Sequence, residues 1–314
     1  MRPPRPILLC LCLAACSEYK LSGDDDHPGD TGLVPPQPTE QREDRWDVAE
    51  GWGTDILFFG DTSSSMTEEL QTLGERVEEF VADLGEYTED WQLLAVTGPD
   101  GCGVGGIITP DTPDYAATFA AGILTPPGED LVDEWGLYDA TAAVEQSGPG
   151  GCNEGFLRED AMLSVVLISD EDDNSPGWDA GDPSYWQAYV DAMVAIKGAA
   201  DALTISAVAG PLPDGCAGAE PGTGYVEAAA ATGGEFLSIC DPWYEHLDAV
   251  VDVSVARALF ELTALPVVAT IQVAVDACVR SDDWEYDPAL NAVRFTDDPP
   301  RSGEVVAIRY EVAG

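Results

Sequence analysis

Positive charge is scarce in this chain. Thirteen Lys and Arg stand against 59 Asp and Glu, for a formal net charge of −46. Nucleic-acid binding needs clustered cations to neutralise phosphates, and electrostatic docking on anionic lipid needs a basic patch, so the composition argues against both. Histidine is nearly absent. His27 and His246 lie far apart in the sequence, which argues against histidine-centred catalysis and multi-histidine zinc sites. There is no Gly-x-Ser-x-Gly nucleophile elbow and no internal repeat. What the chain does have is length and apolar content. Its 314 residues, 45% of them hydrophobic, suffice for one large domain with a packed core and small appendages.

The first 50 residues read as targeting and spacing. Arg2 and Arg5 precede a short apolar run over residues 7–15, too short to span a bilayer as a mature helix. The run closes on Leu13-Ala14-Ala15-Cys16. This resembles the lipobox of bacterial lipoproteins, in which a signal peptide is cut before a cysteine that then carries lipid. Residues 1–15 are therefore expected to be a lipoprotein signal peptide, and Cys16 the lipidation site. Ser17 after that cysteine points to the outer membrane of a Gram-negative bacterium, with the lipid as the only membrane contact. Residues 16–50 read as an acidic tether rich in Pro and Gly, whose composition cannot offset its ordering entropy. Its Asp24-Asp25-Asp26 triplet lacks the glycine and glutamate that an EF-hand places at fixed offsets.

From about Thr54 the pattern alternates. Short apolar runs at residues 56–59, 93–96, 165–168, 203–208 and 236–239 suit strands buried on both faces. Between them Leu70, Leu73, Val77, Phe80, Val81 and Leu84 recur at helical spacing. Further helices are expected over residues 115–123, 131–146, 185–197, 224–231 and 243–260. Alternation on this scale predicts a doubly wound α/β domain over residues 51–262, with a mostly parallel, Rossmann-like sheet. Beyond Leu262 the period becomes two. Val267, Ala269, Ile271, Val273 and Val275 alternate with more polar residues, as do Val306, Ile308, Tyr310 and Val312. Residues 263–314 therefore read as a small antiparallel β appendage.

Ligands of open α/β sheets bind beyond the carboxyl ends of the strands. Two such ends are chemically loaded. The first strand runs into Asp61-Thr62-Ser63-Ser64-Ser65, and a later one ends at Asp170-Glu171-Asp172-Asp173. Carboxylates with hydroxyls two residues apart are hard oxygen donors, suited to Mg²⁺, Mn²⁺ or Ca²⁺. Ser65-x-x-Glu68 also matches a helix capping box. Asp172 and Asp173 read as solvated loop acids or helix caps, and Asp55 as a structural residue opening the first strand.

These residues carry a resemblance to the von Willebrand factor type A domain. That family's metal-ion-dependent adhesion site has the form Asp-x-Ser-x-Ser after the first strand, a threonine in a second loop and an aspartate in a third. Asp61, Ser63 and Ser65 match the first loop, and Asp170 the third. The second-loop threonine has no match, because Thr141 falls inside the expected helix. Glu134, or Asp133, occupies the position instead. The resemblance covers residues 50–262 and implies a divalent cation whose open position takes an acidic residue of a protein partner. Under that reading the protein is an adhesion module and not an enzyme. Two other functions stand beside it: a structural surface protein stabilised by its metal, and a hydrolase with either a water activated by the metal or Ser63 or Ser65 as nucleophile. A serine nucleophile needs a base, and no motif places His246 or Lys197 at the strand ends.

In an exported chain disulfides are the default. Cys216 and Cys240 flank one helix and reach adjacent strand regions, so they are expected to pair. Cys102 and Cys152 sit in Gly-rich loops and are paired next, which leaves Cys278 over.

Overall fold

The computed structural model describes residues 40–48, 53–126, 135–178, 181–255, 259–281, 283–288, 290–296, 299–300 and 303–312. The central sheet contains β2 (Thr54–Gly60), β3 (Trp91–Val96), β4 (Met162–Ile168), β5 (Leu203–Ala209) and β6 (Phe236–Ser238). Its order is β3-β2-β4-β5-β6, and every pairing is parallel. All seven residues of β2, β4 and β5 are buried, which is why these strands read as continuous apolar runs.

Alternate side chains feed two cores. Ile56 and Phe58 face α1 (Thr67–Leu84) and α2 (Tyr115–Ile123), while Leu57 and Phe59 face α3 (Gly136–Glu145), α4 (Trp186–Lys197) and α5 (Tyr225–Thr232). The helical stripe of α1 is buried as its spacing requires. Phe58 packs edge-to-face on Phe80 and Phe119, with ring centroids 5.4 and 5.1 Å apart. Asp55 is fully buried near the start of β2. It accepts hydrogen bonds from the Arg158 Nε and amide, both at 2.7 Å, a structural pairing at the amino ends of the strands. Among the described residues no helix is long and apolar enough to cross a membrane.

The helix expected over 243–260 is shorter. A 3-10 turn at Trp243–His246 leads into α6 (Leu247–Ser254), and β7 (Leu259–Glu261) already belongs to a second core, in which Phe260 is buried. That core lies between two antiparallel sheets. One has the order β10-β11-β7, with β10 (Trp284–Asp287) and β11 (Ala292–Phe295). The other has the order β1-β12-β8-β9, with β8 (Gln272–Val275), β9 (Cys278–Arg280), β12 (Val305–Glu311) and β1 (Gln41–Asp47). Val273, Val275, Val306, Ile308 and Tyr310 point inward as the alternation predicts. A 3-10 turn at Val268–Thr270 interrupts the expected run, so the strand begins only at Gln272.

β1 corrects the expected extent of the tether, because residues 41–47 pair along their whole length with β12. Their polar sequence hides this. β1 is an edge strand held by its ladder, by the Arg309–Glu43 ion pair to β12 and by Trp46, which packs edge-to-face on Phe260 with ring centroids 5.2 Å apart. Its buried side chain is Asp44, which accepts hydrogen bonds from the Thr263 amide (2.8 Å), the Thr263 hydroxyl (2.7 Å) and the Tyr310 hydroxyl (2.7 Å). Burial pushes this carboxyl up, but those donors outweigh it and hold it below the ordinary range. The α/β domain is thus inserted between β1 and β7 of one sandwich. Asp44→Ala strands three donors and is expected to cost about 1–3 kcal/mol in urea unfolding followed by tryptophan fluorescence. An unchanged midpoint would mean that β1 is not anchored this way.

Candidate metal centre

In this strand order the connection from β2 runs through α1 to β3 on one side, while that from β4 runs through α4 to β5 on the other, which opens a crevice at the carboxyl ends of β2 and β4. Gly60 stands in register with Ile168, and the Asp61 amide extends the ladder by donating to the Ile168 carbonyl at 3.0 Å. Asp61 and Asp170 are therefore brought to one place by backbone pairing. Both are largely buried, with 6% and 9% of their surface exposed, whereas Ser63 is half-buried and Ser65 exposed above them.

The first loop folds around Asp61. Its Oδ1 accepts from the Ser63 amide at 2.7 Å and its Oδ2 from the Ser169 hydroxyl at 2.8 Å. Ser63 Oγ lies 2.9 Å from Ser65 Oγ, and Ser65 Oγ donates to Asp170 Oδ1 at 3.3 Å. Asp61, Ser63, Ser65 and Asp170 thus form one connected set. The capping box expected at Ser65 does not form. A 3-10 turn at Ser64–Met66 precedes α1, no side chain caps that helix, and Ser65 turns to Ser63 and Asp170 instead.

Burial pushes the Asp170 carboxyl up. The charges of Asp61 and Glu69 add to this, and the Ser65 hydroxyl opposes it. Glu69, in the first turn of α1, was not among the expected site residues. Among the described residues no Lys or Arg forms an ion pair with Asp61 or Asp170. Two buried carboxylates without a cationic side chain fit a bound cation, whose charge would offset their desolvation and mutual repulsion. Two carboxylates, two hydroxyls and water are a donor set suited to Mg²⁺. Among the described residues no three His, Cys, Asp or Glu side chains cluster as a metal site, so the hydroxyls are needed. Glu134, Asp133 and Cys16 lie outside the described residues.

Both expected disulfides are present, Cys102–Cys152 and Cys216–Cys240. Cys278, expected to be left over, is disulfide-bonded as well. The Cys216–Cys240 bridge spans 24 residues and braces the loop after β5, whose Glu220 amide donates to the Asp170 carbonyl at 2.8 Å. Lys197 sits at the far end of the sheet, donating to the carbonyls of Arg158 and Glu159. Among the described residues neither Lys197 nor His246 hydrogen-bonds Ser63 or Ser65.

Of the two readings of Asp173, solvated acid or helix cap, the structure shows the cap. The residue is fully buried, and its Oδ1 accepts from the Leu137 amide at 3.1 Å and the Ser175 hydroxyl at 2.8 Å, so it caps α3 from another loop. The available signal was that α3 opens after Trp135, a residue that cannot cap. Burial drives the Asp173 carboxyl up to about 7, against the pull of Ser175 and the Leu137 amide.

Comparison with protein-family models and with curated proteins finds no match. Among solved structures the chain is similar to a von Willebrand factor type A protein from Catenulispora acidiphila, at 14% identity, with a TM-score of 0.42 and coverage of 88% of this chain and 66% of that one. It is also similar to proximal thread matrix protein 1 from the mussel byssus, at 16% identity, a TM-score of 0.45 and coverage of 71% and 52%. The form of that protein with a zinc-occupied metal-ion-dependent adhesion motif matches at 15% identity, a TM-score of 0.42 and coverage of 70% and 52%. The chain spans about half to two thirds of the length of these structures.

An acid whose folded pKa is raised favours folding below its unfolded pKa and loses that contribution as pH rises through the folded value. For Asp173 the window runs from 3.8 to about 7. Asp173→Asn keeps a neutral acceptor, so its stability relative to wild type should rise across that window, by on the order of 4 kcal/mol at most. Urea unfolding of both proteins at pH 4, 6 and 8 checks this. A difference independent of pH would mean that the carboxyl is not held neutral by burial.

Proposed function

We propose that this chain is a cell-envelope lipoprotein, anchored through Cys16 in an outer membrane, whose von Willebrand factor type A–like domain binds a protein partner through a divalent cation. The observation that carries the reading is the convergence of Asp61 and Asp170 from two loops, under the hydroxyls of Ser63 and Ser65, at the crevice of the sheet. The four residues would hold the ion. When bound, the ion supplies a coordination position that a partner's Asp or Glu can fill. Asp61 holds the first loop through the Ser63 amide and the third through the Ser169 hydroxyl, so its two oxygens fix the spacing of both loops. Ser63 and Ser65 present hydroxyls at the surface, where a partner reaches them. A net charge of −46 would repel an acidic partner, which makes the contact dependent on the cation. Hydrolysis has less support, since among the described residues neither serine hydroxyl is bonded to a base.

Calorimetric titration with Mg²⁺ or Mn²⁺ should show one site above the diffuse binding of an acidic surface, and Asp61→Ala should reduce it below detection without unfolding the domain. Capture from envelope extracts should succeed with Mg²⁺ and fail with chelator. Equal metal binding by wild type and Asp61→Ala would remove the site assignment. Metal binding intact but no chelator-sensitive capture would favour the structural alternative.

A further inference from the structure

Helix α3 supplies no cap of its own, yet each of its first three amides is bound by a side chain from elsewhere. The Gly136 amide donates to the Tyr225 hydroxyl (3.3 Å), the Leu137 amide to Asp173 Oδ1 (3.1 Å) and the Tyr138 amide to Ser175 Oγ (3.0 Å). Two glycines clear the space. A Cβ on Gly136 would lie 2.7 Å from the Tyr225 hydroxyl. A Cβ on Gly224, whose φ is +92°, would lie 2.2 Å from the Tyr185 hydroxyl and 3.0 Å from the Asp173 Cβ. The backbone of Asp173 is tied as firmly: its amide donates to the Thr223 carbonyl at 3.0 Å, and its carbonyl accepts from the Tyr185 hydroxyl at 2.6 Å. Three residues upstream on the same loop stands Asp170, itself reached by Ser65. Asp173 is therefore the point at which the loop carrying Asp170 is joined to α3 and to Tyr185 and Thr223, the residues just ahead of α4 and α5.

We propose that Asp173 is a positioning residue for the candidate metal centre, holding the Asp170 carboxylate in place by locking the third loop onto the amide end of α3. This rests on the metal-binding reading above. The groups around the Asp173 carboxyl are the Leu137 amide, the Ser175 hydroxyl and the hydroxyls of Tyr185 and Tyr225, none of them a residue of the candidate metal set. Asp173 acts as the outer partners of metal ligands do, by fixing the orientation of a ligand it does not replace.

The test is Mn²⁺ titration of the intact exported protein as wild type, Asp61→Ala, Asp173→Leu, Asp173→Asn and Ser175→Ala. Circular dichroism first confirms that each variant is folded at the titration temperature. Asp173→Leu should weaken Mn²⁺ binding by about 10–100-fold, and Asp173→Asn, which keeps the acceptor for the Leu137 amide, should recover most of that loss. Ser175→Ala changes little volume and should weaken binding by about threefold, smaller than the full loss of an outer partner; it decides the matter if Asp173→Leu does not fold. Hydrogen exchange measured without metal should accelerate at the Leu137 amide in Asp173→Leu and at the Tyr138 amide in Ser175→Ala, and at neither in Asp173→Asn. Wild-type affinity in the folded Leu and Ala variants, with Asp61→Ala still inactive, would overturn the positioning role and leave the metal centre standing. An absence of Mn²⁺ binding by wild type would overturn both, and a loss in Asp173→Asn equal to that in Asp173→Leu would replace positioning by a need for the charge itself.

Discussion

The backbone ladder between β2 and β4 continues one residue past both strands, from the Asp61 amide to the Ile168 carbonyl. That bond places the two loops that carry Asp61 and Asp170 side by side, and everything proposed for the chain depends on it. The strands on either side are fully buried, so their register is fixed by hydrophobic packing on both faces. A slip of one residue would exchange the two cores and part the two carboxylates. The position of the site is thus a consequence of core packing, and its chemistry is a consequence of which residues come next.

What comes next is costly for the apo chain. Asp61 and Asp170 are buried with no described cation beside them, and Glu69 adds a further charge to Asp170. The loops hold their shape by hydrogen bonds instead: Ser169 to Asp61, Ser65 to Asp170 and the Glu220 amide to the Asp170 carbonyl. Further out, Asp173 and Ser175 fasten the same loop to α3. The site is therefore preformed and electrostatically unsatisfied at once, and an ion stabilises such an arrangement more than any neutral ligand does.

Much of this was legible in the sequence, for physical reasons that vary by residue. β2, β4 and β5 announce themselves because burial on both faces demands continuous apolar runs, and α1 because one face must be apolar. Asp61, Ser63, Ser65 and Asp170 are legible because they follow those strands directly. The paired Cys216 and Cys240 were legible from topology, since both lie beyond neighbouring strands. β1 was not, because an edge strand held by its ladder, Asp44, the Arg309–Glu43 ion pair and a single inward aromatic, Trp46, shows no alternating apolar run. For Asp173 a cap was expected but not the helix it caps, because the Leu137 amide that donates to it is 36 residues away in the sequence. Long-range capping leaves only a negative trace, a helix that begins without a cap.

The central claim is that one cation sits between the two loops, and diffraction from crystals soaked in Mn²⁺ tests it most directly. The account predicts an anomalous peak within coordination distance of Asp61, Ser63, Ser65 and Asp170. Manganese bound elsewhere on the acidic surface, with that crevice empty at saturating metal, would contradict it.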